Sequence, residues 1–71
     1  MAKKELASIE QMREFFARAA YHNIKQYQIA KEAGIREGTV SSWRIGKKIA
    51  YQDTFETATE ALNRLIERNS K

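Results

Sequence analysis

The sequence predicts an all-α fold, one small helical domain, and three observations carry that expectation. Proline is absent from all 71 residues, so no residue type forbids helix continuation outright. The three glycines, Gly34, Gly38 and Gly46, all fall between residues 34 and 46, which concentrates the breaks in the middle of the chain. On either side apolar residues recur at helical spacing, and no internal repeat, low-complexity tract or linker divides residues 1–71 into more than one domain.

The first helix is expected to begin at Ser8, whose hydroxyl can cap it, with Gln11 three residues on completing a capping-box pattern. Its stripe of Ile9, Met12, Phe15, Phe16, Ala19 and Ala20 reads as core, and it ends around His22 and Asn23, whose side chains favour a turn. A short second helix runs from about Gln26 to Ala33, burying Ile29, Ala30 and Ala33, and Gly34 supplies the left-handed residue that ends it. The third runs from about Glu37 to Ile45, with Val40 and Trp43 on one face and Thr39, Ser41, Ser42 and Arg44 on the others, and Gly46 closes it. After a loop over 47–52, Asp53 is expected to cap a long final helix over 53–69, with Glu56 three residues later. Phe55, Ala58, Leu62, Leu65 and Ile66 follow at helical spacing, and Glu60/Arg64 and Glu67/Lys71 stand four apart as outward pairs.

A chain this short buries too little apolar surface for a deep catalytic cleft, so a binding module is the natural expectation. Cysteine is absent, which excludes disulfides, zinc–thiolate sites and thiol nucleophiles. His22 is the sole histidine and has no partner at ligand spacing, Ser41 and Ser42 lack a base, and the glycines follow no strand and so form no phosphate-cradling loop. The expectation is therefore no catalytic residue, no metal, no cofactor and no small-molecule ligand. With no apolar run long enough to span a membrane and no signal-peptide pattern, the protein is expected to be cytoplasmic, associated with the nucleoid.

The formal charge is +4, and its location is informative. Residues 25–48 hold six basic groups (Lys25, Lys31, Arg36, Arg44, Lys47, Lys48) against two acids (Glu32, Glu37), while the other 47 residues carry seven of each. A local cationic surface favours polyanions, because each Lys or Arg that neutralises a phosphate releases condensed counterions. The competing reading is a solvated charged face.

Residues 26–46, QYQIAKEAGIREGTVSSWRIG, resemble the helix-turn-helix of phage-repressor-like regulators, the XRE or lambda-repressor-like family. The likeness lies in spacing: after Gln26, Ala30 stands four later, Gly34 eight, Ile35 nine, Val40 fourteen and Trp43 seventeen. Ala30 lets two helices cross closely, Gly34 takes the left-handed turn, and Ile35, Val40 and Trp43 wedge the pair together. The resemblance implies a helix-turn-helix domain of four to five helices, here with residues 53–69 as one long helix. Two residues depart from the pattern. Arg36 stands where relatives carry a capping Ser or Thr, and Gly38 occupies an early helical position where glycine costs about 1 kcal/mol against alanine.

Carried onto this chain, the resemblance implies that Arg36, Glu37, Thr39, Ser41 and Ser42 face base edges in the major groove of double-stranded DNA. Phosphate contacts are expected from Gln26 and Tyr27 at the start of the second helix and from Arg44, Lys47 and Lys48 after the third. The plainer alternative makes Arg36, Glu37, Ser41 and Ser42 solvated surface, and Lys25 and Lys31 mere solubilising charges. Tyr51 is expected to pack into the core, with phosphate binding as its alternative.

Relatives of this fold bind palindromic operators as two-fold dimers. A homodimer is therefore expected, with Phe55, Leu62, Leu65 and Ile66 as its interface; the same stripe could instead close the monomer over Phe15, Phe16 and Trp43. The function implied is a transcriptional regulator, a repressor or autoregulator of phage, plasmid or bacterial origin, with no enzymatic activity. The alternatives are a protein-binding adaptor of the antirepressor or antitoxin kind and an excisionase-like architectural protein.

Overall fold

The computed structural model describes residues 5–69, which form four helices: α1 (Ile9–Tyr21), α2 (Gln26–Ala33), α3 (Glu37–Arg44) and α4 (Gln52–Asn69). The capping box that opens α1 is complete. Ser8 Oγ accepts from the Gln11 N–H at 3.0 Å, and Gln11 Oε1 accepts from the Ser8 N–H at 2.9 Å.

One device ends α1, α2 and α3. A residue in the left-handed conformation, Asn23 (φ 57°), Gly34 (φ 73°) or Gly46 (φ 79°), turns the chain so that two successive N–H groups point back at the helix. Asn23 donates to Ala20 and Ile24 to Ala19; Gly34 donates to Lys31 and Ile35 to Ala30; Gly46 donates to Trp43 and Lys47 to Ser42. This is the Schellman pattern, and it satisfies carbonyls that each helix end would leave without a partner. After the first two stops the next residue is apolar, and both Ile24 and Ile35 pack on the core, so the same turn that ends a helix seats an isoleucine beneath it.

The start of α4 differs from the sequence expectation. The helix begins at Gln52 rather than at an Asp53 cap, because the N-terminal segment supplies the acceptor: the Gln52 N–H donates to the Glu5 carbonyl at 2.6 Å. Beside it Ala7 donates to the Ala50 carbonyl at 2.8 Å, and Leu6 and Tyr51 face each other as an antiparallel pair. Tyr51 is half exposed on this bridge and is no core residue. Asp53 accepts from the Thr54 N–H at 2.8 Å.

The core joins Met12, Phe15 and Ala19 of α1, Ile29 and Ala30 of α2, Val40 and Trp43 of α3, and Phe55, Ala58, Leu62 and Leu65 of α4. α2 is the middle element, packed against both α3 and α4. Phe15 stands edge-on to Phe16 at 5.0 Å and tilted to Phe55 at 5.4 Å, which ties α1 to α4. A side chain such as Leu62, sealed from solvent, contributes about 1.5–3 kcal/mol by burial alone.

This packing corrects the expected dimer interface. Phe55, Leu62 and Leu65 are buried within the single chain and Ile66 is half-buried against the same cluster, so the stripe is consumed in closing the monomer. The stripe of α1 is narrower than its periodicity suggests: Met12, Phe15 and Ala19 are buried, while Ile9 and Ala20 are exposed at its edge, and Ala33 of α2 is only half-buried.

Arg64 does not serve a local pair with Glu60. Its Nε donates to Glu32 Oε2 across to α2 at 2.9 Å, and Arg68 approaches Glu32 Oε1 at 3.4 Å; the expected partner of Glu67, Lys71, lies outside the described residues. Arg64 also reaches the Glu32 carbonyl at 3.5 Å, in the last turn of α2, where carbonyls lack helical partners. The hydrogen bond from Arg64, assisted by the Arg68 charge, holds the Glu32 carboxyl below the usual carboxylate range despite some desolvation.

Two outcomes are expected. Glu32 ionises more readily in the folded chain than in the unfolded one, so its contribution is complete at neutral pH, fades as pH falls below the ordinary glutamate range and is gone below the folded value. Glu32→Gln should lower the thermal midpoint slightly at pH 7 and leave it unchanged in acid. Gly34→Ala should cost about 1–2 kcal/mol in chemical denaturation, all of it from the left-handed backbone, since an added Cβ would meet nothing within 4 Å.

Candidate nucleic-acid interface

Val40 and Trp43 bury one side of α3, and at roughly 100° per residue the opposite side is made of Gly38, Ser41, Ser42 and Ile45. Gly38 and Ile45 are exposed there and the two serines are half-buried. Glu37 and Arg44 are exposed along one flank, Arg36 is exposed just ahead of the helix, and Thr39 is half-buried on the other flank. Of the five residues expected to face bases, Arg36, Glu37, Ser41 and Ser42 thus share a continuous outer surface and Thr39 stands aside from it. The Ser42 hydroxyl donates to the Gly38 carbonyl at 2.9 Å, which leaves its oxygen as an acceptor.

Ile45 was not among those five, although it is the most outward apolar side chain of the segment at 69% exposed. The signal was available: it lies seven residues after Gly38, two helical turns on the same face. An apolar side chain in that position has the chemistry to meet a thymine methyl.

The residues expected to hold phosphates come from two elements that meet. Gln26 at the start of α2 and Arg44 at the end of α3 line one cleft of about 380 Å³, together with Asn23 and Lys25. Gln26 Oε1 is buried there without a hydrogen-bond partner, and a buried polar atom so placed is costly unless something else engages it. Lys25, which sequence reasoning left as a solubilising charge, belongs to the cleft, with its Nζ 3.3 Å from Asn23 Oδ1. Tyr27, Lys47 and Lys48 are exposed. The chain itself offers Lys47 and Lys48 to solvent by folding their N–H groups back onto the Ser42 carbonyl.

The helix starts divide into two kinds. At α1 and α4 another part of the chain accepts from an early amide: Ser8 Oγ from Gln11 and the Glu5 carbonyl from Gln52. Neither α2 nor α3 has a side-chain acceptor over its first amides: Lys25 and Arg36 occupy the cap positions, and neither side chain can accept a hydrogen bond. Gln28 Oε1 accepts from the Lys25 N–H at 2.8 Å, which is half of a capping box. Both open starts carry the positive end of a helix dipole beside a fixed cation, an arrangement that favours an anion.

No family model, curated protein or solved structure matches the chain. Among the described residues no three His, Asp or Glu side chains gather as a metal site, and no helix is long and apolar enough to cross a membrane.

Gly38 offers a direct test of the outer face. A Cβ there would meet nothing within 4 Å, so Gly38→Ala should raise stability by roughly 0.5–1 kcal/mol in urea denaturation. If this face lies against duplex DNA, the same substitution should weaken DNA binding, a loss of affinity with a gain of stability that no folding defect produces.

Proposed function

We propose that this protein is a sequence-specific double-stranded DNA-binding regulator of transcription, a repressor or autoregulator of the phage-repressor-like helix-turn-helix kind. One observation carries the reading: α2 and α3, joined by the Gly34 turn, both begin with uncapped amides beside Lys25 and Arg36, and the start of α2 shares a cleft with Arg44. In this reading α3 enters the major groove with Gly38, Ser41, Ser42 and Ile45 foremost, and Arg36 and Glu37 reach base edges from its start. Gln26, Tyr27, Lys25, Arg44, Lys47 and Lys48 hold the flanking phosphates and set the register without reading sequence.

Two copies on the half-sites of a palindrome, about one helical turn apart, are the stoichiometry this reading expects. The operator's own symmetry suffices to place them, since the apolar stripe of α4 is committed to the core.

A binding titration tests the proposal, against DNA from upstream of the protein's own gene and against unrelated DNA, each at two salt concentrations. A preference of roughly 1,000-fold that survives the higher salt supports a specific regulator; equal, salt-labile binding to every sequence tried speaks against it. The division of roles has its own test. Arg36→Ala and Ser42→Ala should relax specificity at particular base pairs by roughly 1–3 kcal/mol, whereas Lys47→Ala should weaken all sequences alike and flatten the salt slope by about one.

A further inference from the structure

A second surface lies beside the candidate interface. An open groove of about 580 Å³ runs between α1 and the segment that follows α3, floored by Met12, Phe16 and Trp43. Its walls are Ile9, Ile45 and Ile49, which are 59%, 69% and 40% exposed, an unusual concentration of bare isoleucine on so small a chain. Every charged residue that lines it is a cation: Arg13, Arg44 and Lys48.

We propose that this groove docks an acidic amphipathic segment of a partner protein, and that docking excludes DNA. The occupant's chemistry follows from the lining. The isoleucines stand as ridges on an open trough, so they call for a row of apolar side chains from a helix laid along it rather than a small molecule enclosed by it. The three cations call for acids flanking that row. A second copy of this chain is a poor fit. The acids of its α4, Asp53, Glu56 and Glu60, are interspersed with no exposed apolar side chain, because Phe55, Ala58, Ala61 and Leu62 face inward.

Exclusion of DNA follows from shared residues and rests on the function proposed above. Arg44 lines both the groove and the phosphate cleft, and Lys48 and Ile45 also belong to the DNA-facing set. A carboxylate on Arg44 or Lys48 takes the place a phosphate would hold, so the partner acts as an antagonist of DNA binding.

Trp43 is the sole tryptophan and touches the groove, which makes its fluorescence the readout. The probe is a synthetic helix of about four turns with leucine at i, i+3, i+4 and i+7 and glutamate on the flanks. Two controls replace its glutamates by lysine or its leucines by glutamine. The acidic amphipathic peptide should bind at least roughly tenfold more tightly than either control, and Ile9→Ser and Ile49→Ser should each weaken it several-fold. Both substitutions fall on exposed side chains outside the DNA-facing set, so DNA binding and the thermal midpoint should hold. Equal binding of all three peptides, or indifference to Ile9→Ser and Ile49→Ser, overturns the proposal. So does concentration-dependent dimerisation that Ile49→Ser abolishes, which would assign the groove to a second copy. The peptide titration is run without DNA, so it stands or falls separately from the regulator reading; peptide that binds yet fails to displace bound DNA overturns the exclusion alone.

Discussion

The left-handed residue at the end of each of the first three helices is the constraint on which the rest of this small structure depends. A single positive φ at Asn23, Gly34 or Gly46 does three things together: it stops the helix, returns two N–H groups to its last carbonyls and fixes where the next segment leaves. Between α2 and α3 only three residues intervene, so the Gly34 turn leaves little freedom in how those two helices lie against each other. Their mutual geometry is set by the backbone and then locked by Ile35, Val40 and Trp43 in the core. Two helix starts are held in a fixed relation better by such a turn than by side-chain packing alone, because the turn admits few alternative directions.

The two outer helices serve a different end. The start of α1 carries the Ser8–Gln11 capping box, and at the start of α4 the Gln52 N–H is taken up by the Glu5 carbonyl, so each of these termini spends part of its donor set within the chain. The apolar face of α4 is spent in the same way, sealed against α1 and α2. A side-chain cap at α1 and none at α2 or α3 is the difference between the helix starts on the two sides. The core draws on all four helices, while α2, α3 and the loop after them carry the helix starts without a side-chain cap, most of the cations of the two clefts and the exposed Ile45 and Ile49, with Ile9 and Arg13 added from α1.

The helix limits were legible in the sequence because the signals that set them are local. Ser8 with Gln11, Gly34 after Ala33 and Gly46 after Ile45 act through backbone atoms a few residues away, and reading those neighbours is enough. The misreadings concern partners far apart in the chain. A helical period finds the stripe Phe55, Leu62, Leu65 and Ile66 but is silent on whether its own core or another copy covers it. The same blindness applied to Arg64, whose neighbour Glu60 is four residues away while Glu32, the partner it takes, is thirty-two. The start of α4 needed the Glu5 carbonyl, which no spacing rule brings to Gln52. At the candidate interface the order was similar. The exposed polar residues of α3 could be named from their flanking core positions, but the cleft that unites Lys25 and Gln26 with Arg44 exists only once two helices have been folded together.

Charge, finally, is distributed by the fold more sharply than by the sequence. The cationic segment 25–48 contains only two acids, and α4 disposes of one of them: Glu32 is held by Arg64 and Arg68 on the contact between α2 and α4. The other, Glu37, sits in the first turn of α3, where the helix dipole favours a carboxylate. Neither acid lines the cleft of Lys25, Gln26 and Arg44 or the apolar groove, whose charged residues are all positive. Two arginines of a helix that otherwise carries only acids (Asp53, Glu56, Glu60 and Glu67) thus do work that a charge count does not register: they engage Glu32 where α2 meets α4, so that Glu37 is the acid of segment 25–48 left outside that contact. A surface so arranged favours anions of any source, and what the proposed partner segment would add to a phosphate backbone is a row of apolar side chains for the isoleucines beside it.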